Sequence, residues 1–130
     1  MCLASLNQQQ KEAFICLAHN VVVSDGELSV GERVMMDEMR KEMNLPASFE
    51  ARYLPLEGVE RIFDSKRARA IAILSLIRLG YADGAFEVEE QCLLRDLCQL
   101  FEIRDTEFDL IQNWVRRLIS LEREAQAFMY

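Results

Sequence analysis

The chain has 130 residues, of which 51% are hydrophobic and 28% are charged, a composition typical of one globular domain with its own core. Its formal net charge of −7 repels phosphate backbones, so nucleic acid is excluded as a default partner. A cation or a basic protein suits this charge better, although an acidic surface without any partner is the commoner case. No run of about 18 apolar residues is present to cross a membrane, and no secretory leader is recognised, so we expect a cytoplasmic protein.

Apolar residues recur at three- and four-residue steps, and no segment alternates with a period of two, so the pattern predicts helices and no sheet. The predicted helices cover, in chain order, 7–23, 30–43, 48–54 between two prolines, 58–63, 65–81, 88–101 and 105–121. We therefore expect an all-α protein, a single compact domain over 1–130 with about six to seven helices.

An internal repeat organises these helices. A shift of 58 positions places residues 23–32 on residues 81–90, so that an Asp, a Gly, a Val and a Glu coincide. The same shift keeps apolar residues on apolar residues in both flanking helices, for example Ile15 on Ile73 and Met39 on Leu97. The sequence thus predicts two pseudo-symmetric helix–Asp-Gly loop–helix repeats, about 9–54 and 66–121.

Folding alone offers one interpretation of the repeated loop. Gly26 and Gly84 suit the left-handed conformation that ends many helices. Ser29 and Glu32 have the spacing of a capping box, which starts the next helix. In the second copy Glu87 replaces the serine and should cap its helix less well.

Cation binding is the other interpretation. Asp-Gly followed by five residues and Glu matches the latter half of an EF-hand loop, but Val21 and Val23 stand where further oxygen ligands are needed. The pattern therefore does not favour a calcium-sensing EF-hand. The two loops could still pool four carboxylates, which would suit calcium, magnesium or manganese. These candidate metal ligands are Asp25, Glu32, Asp83 and Glu90.

The stretches Ser24–Glu32 and Ala82–Glu90, with the closing 103–108, resemble the TerB-like family, named after a bacterial tellurite-resistance protein. The likeness covers roughly residues 9–121. It implies a compact helical fold with two pseudo-symmetric halves, an association with bacterial stress response, and acidic loop residues suspected of binding metal. The sequence departs from the family pattern at Ser24, where an alanine is usual, and at Gly31, inside the first turn of a helix.

No catalytic constellation is recognised. His19 is the only histidine, and we interpret it as a surface or half-buried structural residue. The four cysteines lack metal-ligand spacing, and three of them sit among apolar residues at helical spacing, so we interpret these as reduced, small core residues. A methionine stripe on one helix is interpreted as core packing, with a partner groove as the alternative. Its members are Met35, Met36, Met39 and Met43.

Three functional hypotheses follow. The first is a non-enzymatic protein-interaction or scaffold module, with a protein partner or self-association and without a cofactor or small-molecule substrate. The second is divalent cation binding at the paired loops. The third is an enzyme centred on His19. This hypothesis would be rejected if His19 lay remote from any pocket and any carboxylate.

Overall fold

The computed structural model describes residues 2–24, 26, 28–84 and 86–130, and within them the chain is helical without a strand. A 3-10 turn at Leu3–Ser5 precedes six helices. They are α1 (Gln8–Val23), α2 (Val30–Glu42), α3 (Val59–Ile62), α4 (Lys66–Gly80), α5 (Val88–Leu100) and α6 (Asp105–Met129). The prediction of a single all-α domain is confirmed.

The helices α1 and α2 correspond to α4 and α5 at the offset of 58, because adding 58 to the first residue of each gives the first residue of its counterpart. The two pairs also end alike. The Leu45 N–H donates to the Arg40 carbonyl at 2.9 Å, and the Ile103 N–H donates to the Cys98 carbonyl at 2.9 Å. Asn44 and Glu102, which precede these donors, both adopt positive φ. This shared helix ending extends the correspondence from sequence to backbone geometry.

The helix starts follow the predicted capping residues. The Ser29 hydroxyl accepts from the Glu32 N–H, and the Ser29 N–H donates to Glu32 Oε1, both at 3.1 Å. Glu87 makes no side-chain cap on α5, as its residue type predicts. Gly26 and Gly84 have φ of 87° and 91°, the left-handed conformation expected at these loops.

The core lies between α1 and α4, which pack mainly against each other, while α6 lies across α4 and α5. Three of the four methionines in the predicted stripe on α2 are buried, and Met35 packs partly against the same core. The interpretation of this stripe as core packing is therefore confirmed.

The prediction of a helix over 48–54 is wrong. A single turn closes from the Phe49 N–H to the Pro46 carbonyl, and the chain then runs without helix to Leu54. The buried amide of Asn20 on α1 captures the backbone there, donating to the Leu54 carbonyl at 2.7 Å and accepting from the Leu54 N–H at 3.2 Å. These hydrogen bonds replace those that a helix would have made.

The first turn of α2 packs directly on the loop of the other repeat. A Cβ atom built on Gly31 would lie 2.4 Å from Asp83 Oδ1 and 2.9 Å from the Ala82 carbonyl oxygen. Only glycine fits at this distance, which explains the departure from the family pattern at this position. The loop that follows α4 is thereby seated against the start of α2.

The cysteines are free thiols in unequal environments. Cys98 is buried in the core, and desolvation raises its pKa to about 12. Cys16 is half-buried, whereas Cys2 and Cys92 are exposed. The interpretation of the cysteines as core residues is right for Cys98 and wrong for Cys92, which lies on the solvent-facing side of α5.

We expect Gly31→Ala to destabilise the fold by about 1–3 kcal/mol, because the new methyl group overlaps a backbone carbonyl that cannot rotate away. At an ordinary helical position the same change stabilises by about 0.5–1 kcal/mol. Urea unfolding followed by circular dichroism measures the difference. Val30→Ala, at the neighbouring exposed position, is the control and should change stability by less than about 0.5 kcal/mol. An unchanged or raised stability of Gly31→Ala would contradict the close packing.

Alkylation by iodoacetamide at pH 8 should modify Cys2 and Cys92 first and Cys98 last. A pKa near 12 instead of 9 leaves Cys98 with about a thousandfold less thiolate at that pH, and burial also blocks the reagent. Raising the pH toward 10 should leave Cys98 unmodified while the exposed thiols react faster. Mass spectrometry of timed samples locates the labels, and urea should release the protected thiol. Early modification of Cys98 in the folded protein would show that this thiol is not buried.

Candidate functional site

The second Asp-Gly loop and the start of α2 form a joint surface. Asp83 is exposed, and its carboxylate lies against Gly31 in the first turn of α2. The positive end of the helix macrodipole favours a carboxylate at this position. The structure thus brings a loop residue of the second repeat onto a helix start of the first.

Glu32 and Glu90 occupy equivalent buried positions in the first turns of α2 and α5, with exposed fractions of 5% and 2%. Glu32 closes the capping box with Ser29. The Glu90 carboxylate faces the end of α4, since its Oε2 lies 3.4 Å from a Cβ built on Gly80. Both acids therefore point into the fold, where a carboxylate has to be hydrogen-bonded or paired.

The predicted metal ligands are partly located. Glu32, Asp83 and Glu90 lie at the positions described above, while Asp25 lies outside the described residues. Within the described part of the chain, no group of three or more His, Cys, Asp or Glu residues is arranged to hold an ion. The donors are all carboxylates, which suit hard cations, but the described ones do not form a site among themselves. The cation site therefore stays a prediction.

A groove opens between α1 and α2 on the outer side of the first repeat and encloses about 430 Å³. We call it the α1–α2 groove. Its helix walls include Val23 and Met36, Leu28 lies in the loop between the two helices, and the chain at 47–51 forms the remaining side. This volume falls within the range of ligand sites, and the wall is mixed in character. Its charged and titratable members are His19, Arg33, Asp37, Arg40 and Glu50.

His19 is half-buried, as its sequence position predicts, but it lines the α1–α2 groove together with Asp37 and Glu50. Its location does not reject the hypothesis of an enzyme centred on this histidine. Among the described residues that line the groove, none carries a hydroxyl or thiol that could serve as a nucleophile.

A second surface runs along α6, whose two faces are both apolar. One face carries Phe108 and Val115 into the core. The other carries four large residues at steps of four, seven and seven positions, and these exposed residues form what we call the α6 stripe: Leu110, Trp114, Leu121 and Phe128. Phe128 is 91% exposed, so the stripe continues beyond the body of the protein.

The start of α6 is fixed by charge. The Arg104 guanidinium donates to Glu107 Oε1 at 3.1 Å, and this hydrogen bond lowers the pKa of the Glu107 carboxyl below its ordinary value. The Arg104 N–H also donates to the same oxygen. Since Arg104 is largely exposed and Glu107 partly exposed, the pair sets the direction of the helix start more than the stability of the fold.

Sequence reasoning identified the loops but missed the α1–α2 groove and the α6 stripe. The stripe was readable, because Trp114, Leu121 and Phe128 recur every seven residues outside the face that carries Phe108 and Val115. The groove had a weaker signal. The offset of 58 places Pro55 on Asn113, in the interior of α6, so this proline already indicated a difference between the repeats.

Residues 57–113 match the family model described as Tellurite resistance protein TerB. The match spans α3, α4, the second Asp-Gly loop, α5 and the beginning of α6. No curated protein and no solved structure matches the chain. Within its described part, no helix combines the length and apolar character needed to cross a membrane. The resemblance of this chain to the TerB-like family is thus confirmed, and residues 57–113 carry it.

Proposed function

We propose that this protein is a non-enzymatic interaction or scaffold module of the TerB-like kind, which binds another protein or a second copy of itself. The α6 stripe carries the proposal. A helix of 25 residues that already buries one apolar face in its own core shows a second apolar face to water. Large apolar side chains that recur in exposed positions along one helix face are typical of interaction sites in soluble proteins.

The setting of the module is part of the same proposal. The matched family is named for tellurite resistance, so we place this protein in a bacterial stress response. Four free thiols suit a reducing compartment, which supports a cytoplasmic location. Trp114, at the centre of the stripe, is the residue type that most often anchors a protein interface.

A photo-crosslinking amino acid at position 110, 121 or 128 should give the same adduct from each position when the protein is expressed in its host. Asn113 and Ser120, which are exposed on another face of α6, are the matched control positions and should give none. Trp114→Ala should lower the adduct yield by about tenfold or more, as expected for an interface anchor, while circular dichroism should show the variant still folded. Adducts that are absent, or equal at stripe and control positions, would overturn the proposal.

The second candidate function is binding of calcium, magnesium or manganese at the Asp-Gly loops. One observation favours it: the Asp83 carboxylate lies against the first turn of α2, so the second loop reaches the element that follows the first loop. An ion there would have Asp83 as its exposed ligand. Asp25, Glu32 and Glu90 complete the proposed set.

If the loops bind a divalent ion, ten times its Kd should stabilise the fold by about 1.4 kcal/mol and raise the melting temperature by roughly 3–6 °C. Asp83→Asn should remove this shift. Asp96→Asn, which neutralises an exposed carboxylate on α5, should keep it. Differential scanning fluorimetry with each ion up to 10 mM measures the effect. No shift in the unaltered protein, or an equal loss in both variants, would reject the cation site.

A further inference from the structure

The two helix pairs present equivalent grooves, and in the part of the chain that the structure describes a helix covers only the second of them. At the offset of 58, the walls of the α1–α2 groove correspond to residues of the α4–α5 pair: Val23 to Tyr81, Met36 to Leu94 and Asp37 to Arg95. The second groove is the one on which α6 lies. The repeat therefore shows what kind of element these walls accept.

Polar contacts hold α6 in the second groove at one end. The Tyr81 hydroxyl accepts hydrogen bonds from Gln112 Nε2 at 3.0 Å and from Arg116 Nε at 2.9 Å. Phe86, at the position equivalent to Leu28, is only 9% exposed and stacks on Tyr81. This end of the groove is thus closed.

An aromatic anchor and two acids hold the other end. The Arg95 guanidinium lies 4.6 Å from the centre of the Phe108 ring, and Phe108 is fully buried. The same guanidinium is 3.5 Å from Asp105 Oδ1 and 3.4 Å from Asp109 Oδ1. The helix in this groove therefore carries an aromatic residue with an acid three positions before it and one position after it.

The first groove has its walls at the equivalent positions, but among the described residues no helix lies on it, and the chain at 47–51 lines it instead. The segment 46–51 follows α2 as the start of α6 follows α5, but it leaves after one turn and is tied to α1 through Leu54 and Asn20. Val23 and Leu28 are consequently 43% and 44% exposed. Apolar side chains that the second repeat covers are open to solvent in the first.

The charge at the anchor position is reversed between the two grooves. Asp37 stands where the second repeat has Arg95, and it is exposed on a wall that also carries Arg33 and Arg40. A helix with acids beside its aromatic anchor, as in α6, would meet a carboxylate at that position instead of a guanidinium. A helix with basic residues at those places would pair with Asp37, because opposite charges across an interface select the partner.

We propose that the α1–α2 groove binds an amphipathic helix of a partner protein, whose aromatic anchor is flanked by a Lys or Arg three residues before it and another one residue after it. The anchor ring packs between Val23, Leu28 and Met36, and the basic groups face Asp37. The proposal deepens the interaction function and rests on it, but it concerns a different surface from the α6 stripe.

The probe is a labelled peptide of residues 103–119 of this chain, prepared with its own sequence and with Asp105→Lys and Asp109→Lys. Fluorescence anisotropy with the full chain measures binding. The basic peptide should bind about tenfold more tightly than the acidic one. Asp37→Arg in the protein should reverse this preference. Asp96→Arg changes the net charge equally at an exposed position on α5, so it is the matched control and should leave the preference unchanged.

A photoreactive group at the phenylalanine of the peptide locates the bound helix. Crosslinks to residues 19–40 support the proposal, whereas crosslinks to 77–98 would mean that the peptide displaces α6 and would overturn it. Absence of binding at 1 mM of either peptide, or the same response to Asp37→Arg and Asp96→Arg, would also overturn it. In either case, host adducts from the α6 stripe would show that the interaction function itself stands.

Discussion

The packing of α1 against α4 is the constraint on which the rest of the fold depends. The two helices occupy equivalent places in the repeat, and each buries most of its surface. Equivalent positions often differ in size: Phe14 corresponds to Ala72, and Ala18 corresponds to Leu76. Because large and small residues are exchanged between the halves, total core volume is kept while the two helices remain distinct. With α1 and α4 inside, α2 and α5 lie outside, and a groove forms beside each.

The halves differ most where the chain leaves its second helix. After α5 it continues as α6 and covers its own groove; after α2 it makes one turn at Pro46 and is held to Asn20. A duplicated fold that covers the groove of one half and leaves the other open has a candidate binding surface without a special loop or insertion. The same difference explains why α6 has an exposed face, because only one side of this helix packs against the second repeat. Both candidate interaction surfaces thus arise from one asymmetry.

Much of this fold could be predicted from periodicity, because helix starts at Asn7, Ser29 and Ser65 depend on local capping and on apolar steps of three and four. The predictions failed where residues distant in sequence determine the local structure. The helix predicted over 48–54 is replaced by backbone bonds to Asn20, which lies 34 residues from Leu54 in sequence. Likewise, Gly31 was only a departure from the family pattern in the sequence, and the structure explains it by the contact with Asp83. Of the candidate metal ligands, the sequence identified residue types and spacing, but whether four carboxylates converge depends on side-chain directions that no spacing encodes.

The two proposed functions share helix α2. Glu32 and Gly31 belong to its first turn beside the Asp-Gly loops, and Asp37 lies five residues further on, about 7.5 Å along the axis. That separation is within the Debye length of about 8 Å at physiological ionic strength. A divalent ion at the loops would therefore weaken the negative field at Asp37 and oppose the binding of a basic helix. Coupling of this kind is reciprocal, so a helix in the α1–α2 groove would lower the affinity for the ion by the same factor. If both functions are present, α2 is the element through which binding at one site changes the affinity of the other site.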